Sequence, residues 1–130
     1  MPSRSKNRIG MIRYLFPTYI LMEWNFVLND DIKCIPTFIT TWKSYLDEWS
    51  NNAVKVKINL DLRNAMNLTL RRLMMIVIFI GRNKNKITNT TEKISIIASS
   101  ERQQKLIKSG IRLSPKTCPI EIFHSTEKNF

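Results

Sequence analysis

The side chains able to do chemistry in this chain are mostly of one kind: 21 lysines and arginines stand against 10 carboxylates and a single histidine, His124. The excess is uneven. Residues 1–22 carry +4, residues 23–62 carry −2, residues 63–116 carry +10 and residues 117–130 carry −1. So lopsided a field implies an acidic partner, a nucleic acid or an anionic membrane surface. Within the basic stretch, Arg82-Asn83-Lys84-Asn85-Lys86 follows Gly81 and holds no carboxylate. As a loop it would follow a phosphate backbone, with Lys and Arg supplying charge and Asn hydrogen bonds. Arg102, Lys105, Lys108 and Arg112 form a second group. On a helix, spacings of three bring Arg102, Lys105 and Lys108 to one side. Arg71 and Arg72, together with Arg4, Lys6, Arg8 and Arg13 of the N-terminus, complete the expected nucleic-acid contacts.

Other chemistries find little support. His124 falls in an expected frayed tail, so a Ser/His/Asp or Cys/His arrangement would lean on a disordered base. Asp30-Asp31 sits in an expected turn, and Asp47-Glu48 on the exposed side of an expected helix. Gly10, Gly81 and Gly110 are isolated, which leaves no glycine-rich phosphate loop. Cys34 and Cys118 are far apart, and with one histidine they give no metal-ligand spacing. They read as two reduced thiols of an intracellular protein. The sequons at Asn67-Leu68-Thr69 and Asn89-Thr90-Thr91 are of the kind that chance supplies in an Asn/Thr-rich chain. The expectation is a non-enzyme without cofactor or metal.

The elements that must position these residues follow from periodicity. Thr18 suits the cap of a helix over 19–29 that would bury Ile20, Trp24 and Val27. Pro36 suits the first turn of a second helix, where Phe38, Trp42, Tyr45 and Trp49 recur at helical spacing as a core stripe. Val54, Val56, Ile58, Leu60 and Leu62 alternate with polar residues, which predicts a strand with one buried face. From Asp61 the pattern Leu62, Met66, Leu70, Leu73, Val77 and Ile80 fits a long helix that Gly81 would stop. The β-branched run over Ile76–Ile80 also suits a buried strand, and helix is the better fit. Residues 87–91 read as a loop and 93–98 as a strand. Ser100 and Gln103 make a capping-box pattern for a helix over 101–109 that Gly110 would end, and a short strand follows at 120–122.

Together these predict an α/β or α+β fold: two N-terminal helices, then a strand-helix-strand-helix(-strand) unit around one small sheet. Residues 1–17 read as a basic arm, 18–123 as one compact domain and 124–130 as a tail. The acid-free start also resembles an organellar presequence, though a basic arm fits better. Ile occurs 18 times and Asn and Lys 12 times each, against 3 Ala, so the coding genome is inferred to be A+T-rich. That usage suits an organelle or a virus. The uninterrupted apolar run Leu73–Ile80 is too short to span a bilayer, but its flanking arginines and lysines suit peripheral membrane contact. The leading expectation is a nucleic-acid-binding protein, with RNA or a ribonucleoprotein favoured. The alternative is a viral accessory protein that meets a host protein or a membrane through the aromatic stripe and the apolar run.

Overall fold

The computed structural model describes residues 3–6, 11–15 and 20–124, with side chains described from Leu21 to His124. The element order is β1 (Ser3–Lys6), β2 (Met11–Leu15), β3 (Ile20–Asn29), α1 (Cys34–Asn51), β4 (Val54–Asn64), α2 (Leu70–Arg82), α3 (Lys84–Thr90), β5 (Thr91–Ala98), α4 (Glu101–Leu113) and β6 (Ile120–His124). The six strands form one sheet in sequential order. β3 to β6 run parallel, and β1 and β2 extend the sheet in antiparallel fashion beside β3. The α/β class therefore holds, but the expected order does not, because the chain opens on strands.

The segment expected as a first helix over 19–29 is strand β3. Met22, Trp24, Phe26 and Leu28 alternate toward the helices, with Trp24 and Leu28 only 0% and 1% exposed, whereas Val27, which a helix would have buried, is 51% exposed. The deciding partner is non-local: β3 pairs with β4 from Ile20↔Val54 to Asn29↔Asn64, some thirty residues away. Thr18, the expected cap of the lost helix, lies outside the described residues. Ser3–Lys6 and Met11–Leu15, read as part of a basic arm, are strands of the same sheet. The side chains of Arg4, Lys6 and Arg13, and the whole of Arg8, lie outside the described residues. His124 ends β6 opposite Ala98 and so belongs to the sheet, not to a tail.

Each parallel crossover steps one strand onward in the same direction. Crossovers of this kind are right-handed, so sequential order puts their helices on one face of the sheet. The core agrees: Met22, Trp24 and Leu28 of β3 share one apolar cluster with Phe38, Trp42, Leu73, Ile76, Ile87 and Ile107, which come from all four helices. α1 buries Ile35, Phe38, Trp42, Leu46 and Trp49 on one stripe. Trp24 stacks on Phe38 at 5.3 Å and meets Trp42 at 6.5 Å and Trp49 at 6.0 Å. Phe38, Trp42 and Trp49 of the aromatic stripe are therefore core, as burial of large rings favours, and Tyr45 is half-buried beside them. On the other face β4 alternates buried and wetter positions, and there Asn59 donates to Asn25 at 2.7 Å and Lys93 pairs with Glu121 at 3.1 Å.

Three boundaries correct the sequence reading. β4 continues through Asp61 to Asn64, because Asp61 pairs with Val27 and Ile97 in the sheet, and α2 starts only at Leu70, where the Thr69 hydroxyl accepts from Arg72 N at 3.2 Å. Gly81 lies inside α2 and does not stop it. Gly110 likewise lies inside α4, which runs on to Leu113. A Cβ at Gly110 would stand 2.6 Å from Leu73 Cδ2, so glycine there serves the close approach of α4 to α2 and not chain reversal.

Candidate nucleic-acid interface

The links that lead into α2 and α4 are held by side chains, and this is what aims their basic residues. The turn before α1 is closed by Asn29 Oδ1 accepting from Asp31 N at 2.9 Å and Asp31 Oδ1 accepting from Lys33 N at 2.8 Å. Asp30 reaches across the top of the sheet, where its Oδ1 accepts from Asn67 N at 2.9 Å. Gln103, 1% exposed, donates to Leu62 O at 2.8 Å and Ala65 O at 2.9 Å and accepts from Ser99 N at 2.7 Å. The first turn of α4 is thereby pinned to the end of β4. Ser100 caps α4 as expected, accepting from Gln103 N at 3.2 Å. The Gln103 amide itself turns inward to those carbonyls instead of back to the cap. The capping pattern identifies the residue, but only the fold reveals its cross-links.

The segment 82–86 is not a loop. Arg82 closes α2, and Asn83 receives the chain end: its Nδ2 donates to Phe79 O at 2.9 Å and its carbonyl accepts from Ile87 N at 2.9 Å. Lys84 and Lys86 then open α3, which also takes up residues 87–90 of the expected loop. Asn is favoured at such a junction because its short amide satisfies helix-end groups locally. Lysines at a helix start are poorly placed against the dipole. Lys86 is compensated by α1, since its Nζ lies 2.7 Å from Asp47 Oδ1, which Lys43 also approaches at 3.5 Å. The hydrogen bond from Lys86 holds the Asp47 carboxyl below its ordinary range.

All nine predicted contacts from Arg71 onward lie on α2, α3 or α4, and across these three helices Glu101 is the one acidic residue. They divide by their partners. Arg72 donates to Asp30 O at 3.4 Å, Arg102 to Met66 O at 3.2 Å and Leu68 O at 3.1 Å, and Lys86 is held by Asp47. These three fasten loops and helices. Arg71, Arg82, Lys84, Lys105, Lys108 and Arg112 are exposed and make no ion pair or side-chain hydrogen bond within the described residues. Lys105, Lys108 and Arg112 follow at spacings of three and four on the outer side of α4, over about 10 Å of helix. Lys116, in the link after α4, is also exposed and makes no ion pair or side-chain hydrogen bond within the described residues. Helical spacing selects Lys105 and Lys108, whereas Arg112 and Lys116 lie past Gly110, the expected helix end, and are marked in the sequence only by the +10 stretch.

Elsewhere the chemistry is sparse. Among the described residues no group of three or more His, Cys, Asp or Glu side chains is placed to hold a metal ion, and no helix is long and apolar enough to cross a membrane. Asp61 and Arg63 form an ion pair at 2.7 Å, and Arg63 holds the Asp61 carboxyl below its ordinary value. Burial pushes the Cys118 thiol up, away from thiolate chemistry. An apolar cavity of about 60 Å³ lies between sheet and helices, lined chiefly by aliphatic side chains such as Leu60, Leu73, Ile94 and Ile107. The fold defines an α/β protein whose six-stranded sheet has four parallel strands, with basic helices α2, α3 and α4 packed on it. Comparison with protein-family models, with curated proteins and with solved structures finds no match.

Proposed function

We propose that this chain is a non-catalytic nucleic-acid-binding protein, associated with RNA or a ribonucleoprotein, and that its contact surface is the outer side of α2, α3 and α4. The observation that carries this reading is the set of six exposed cations without internal partners, Arg71, Arg82, Lys84, Lys105, Lys108 and Arg112, on three helices that carry one carboxylate, Glu101, between them. Cations free of carboxylate partners keep their charge available for phosphates, and neutralising phosphates releases counterions. Contacts of this kind position a nucleic acid without reading its sequence. Arg72, Lys86 and Arg102 hold the layer together and contribute to the field more than to direct contact. An organellar ribosome or a viral ribonucleoprotein is a setting that suits the charge, the size and the inferred A+T-rich genome.

The test is titration of the full chain with labelled single-stranded RNA, duplex RNA and DNA at low and high salt. Binding that weakens steeply with salt and prefers RNA is expected. Absence of binding to any of them at low salt would sink the reading, and an equal response to all three would remove the preference for RNA.

A further inference from the structure

The outer side of α2 is unlike that of an ordinary surface helix. Leu70, Met75 and Ile78 are 40%, 42% and 49% exposed, and Met74 is half-buried beside them. Spacings of four and three put Met75 and Ile78 on one side with Arg71 and Arg82, so the exposed arc is apolar with an arginine at each end. The opposite side of the same helix buries Leu73, Ile76, Val77, Phe79 and Ile80. A helix apolar on nearly every side is normally covered on every side. The arc continues onto α4. Leu106 and Leu113 stand four before and three after Gly110, which touches α2, so they border α2 on its outer side. Leu113 is 59% exposed. Beyond them lie Lys105, Lys108 and Arg112.

We propose that this face seats on an anionic lipid bilayer, with Met75, Ile78 and Leu113 entering the boundary between headgroups and acyl chains and Arg71, Arg82 and the α4 cations meeting lipid phosphates. Charge complementarity selects the occupant. A second copy would bring two strongly basic layers together, and their repulsion opposes it. Nucleic acid would take the cations but offers no aliphatic surface to Met75 and Ile78, and the exposed arc holds no aromatic ring for stacking. A helix that is apolar outward and flanked by arginines, on a layer rich in lysine, is the arrangement by which proteins lie on anionic membranes without spanning them.

Flotation of the full chain with phosphatidylcholine vesicles, with and without phosphatidylserine, tests this. Binding only to the phosphatidylserine vesicles is expected. The paired change Met75→Gln and Ile78→Gln should weaken it at least about tenfold while leaving RNA affinity unchanged, because half-exposed side chains gain only when a partner buries them. That separation distinguishes failure here from failure of the nucleic-acid reading. Both positions are solvent-facing, and near-UV circular dichroism reports whether the variant keeps its core. If it does not, Leu113→Gln, at a side chain 59% exposed, decides, with a loss of vesicle binding and unchanged RNA affinity expected. No binding to phosphatidylserine vesicles overturns the proposal, as does equal binding by the variants, and either result hands the ridge to a protein partner.

Discussion

Replacing Lys105, Lys108 and Arg112 together by glutamine removes half of the free cations on the helical layer and none of its internal contacts. Each engaged cation releases about 0.7 counterion from single-stranded nucleic acid. Six engaged cations therefore give a slope of log affinity against log salt of about −4, and three give about −2. Between about 50 and 200 mM salt, the parent chain should lose roughly 300-fold in affinity and the triple variant roughly 20-fold. Anisotropy of a labelled single-stranded RNA measures both slopes in one series. Lys86→Gln is the control. Its ammonium is held by Asp47 at 2.7 Å, so its removal should leave the slope close to that of the parent chain. Near-UV circular dichroism of Trp24, Trp42 and Trp49, all at most 2% exposed, checks that the core survives. An unchanged slope in the triple variant refutes the placement of the interface on α4. A loss of affinity that does not vary with salt would refute the electrostatic argument itself.

Three further outcomes test the scaffold. Gln103→Leu should cost on the order of 3 kcal/mol in urea unfolding, because the Leu62 and Ala65 carbonyls lose their buried donor; a cost under about 1 kcal/mol would contradict the pinning role. Ala53 links α1 to β4 at φ 53°, a left-handed conformation unfavourable for a side chain, so Ala53→Gly should raise stability by about 1 kcal/mol, and a fall in stability would show that no strain is stored there. Asp61 has a lowered carboxyl pKa chiefly through its hydrogen bond from Arg63. The stability it contributes is in full force above the unfolded carboxylate value and is lost as pH falls through the lower folded value. Asp61→Asn should therefore melt below the parent chain at neutral pH, with the gap closing in strong acid; a gap of constant size would argue against the ion pair.

Much of the local structure was legible because it repeats at short range. The alternation over Val54–Leu62 becomes β4, the stripe from Phe38 to Trp49 becomes the buried side of α1, and Ser100 caps α4. β3 was not legible, since Leu21 and Val27 add apolar residues to both faces and blur the period of two. The run Ile76–Ile80 is helical despite its β-branched residues, because α2 packs against α1 and α4 and packing outweighs tenths of a kcal/mol in propensity. The exposed ridge on α2 also escapes periodicity, which marks residues as apolar without saying which neighbours cover them.

The sequence by itself determined the charge, its concentration in residues 63–116 and a helix that carries Lys105 and Lys108 on one side. Those properties need only composition and the helical repeat. That the helix runs past Gly110 to bring Arg112 onto that side, while Arg102 is diverted, came from the fold. Tertiary structure decided which cations are free. Arg72 and Arg102 are engaged by the carbonyls of Asp30, Met66 and Leu68, and Lys86 by Asp47, all more than thirty residues away in the chain. A cation's availability depends on the groups within a few ångströms of it, and the fold brings those groups there.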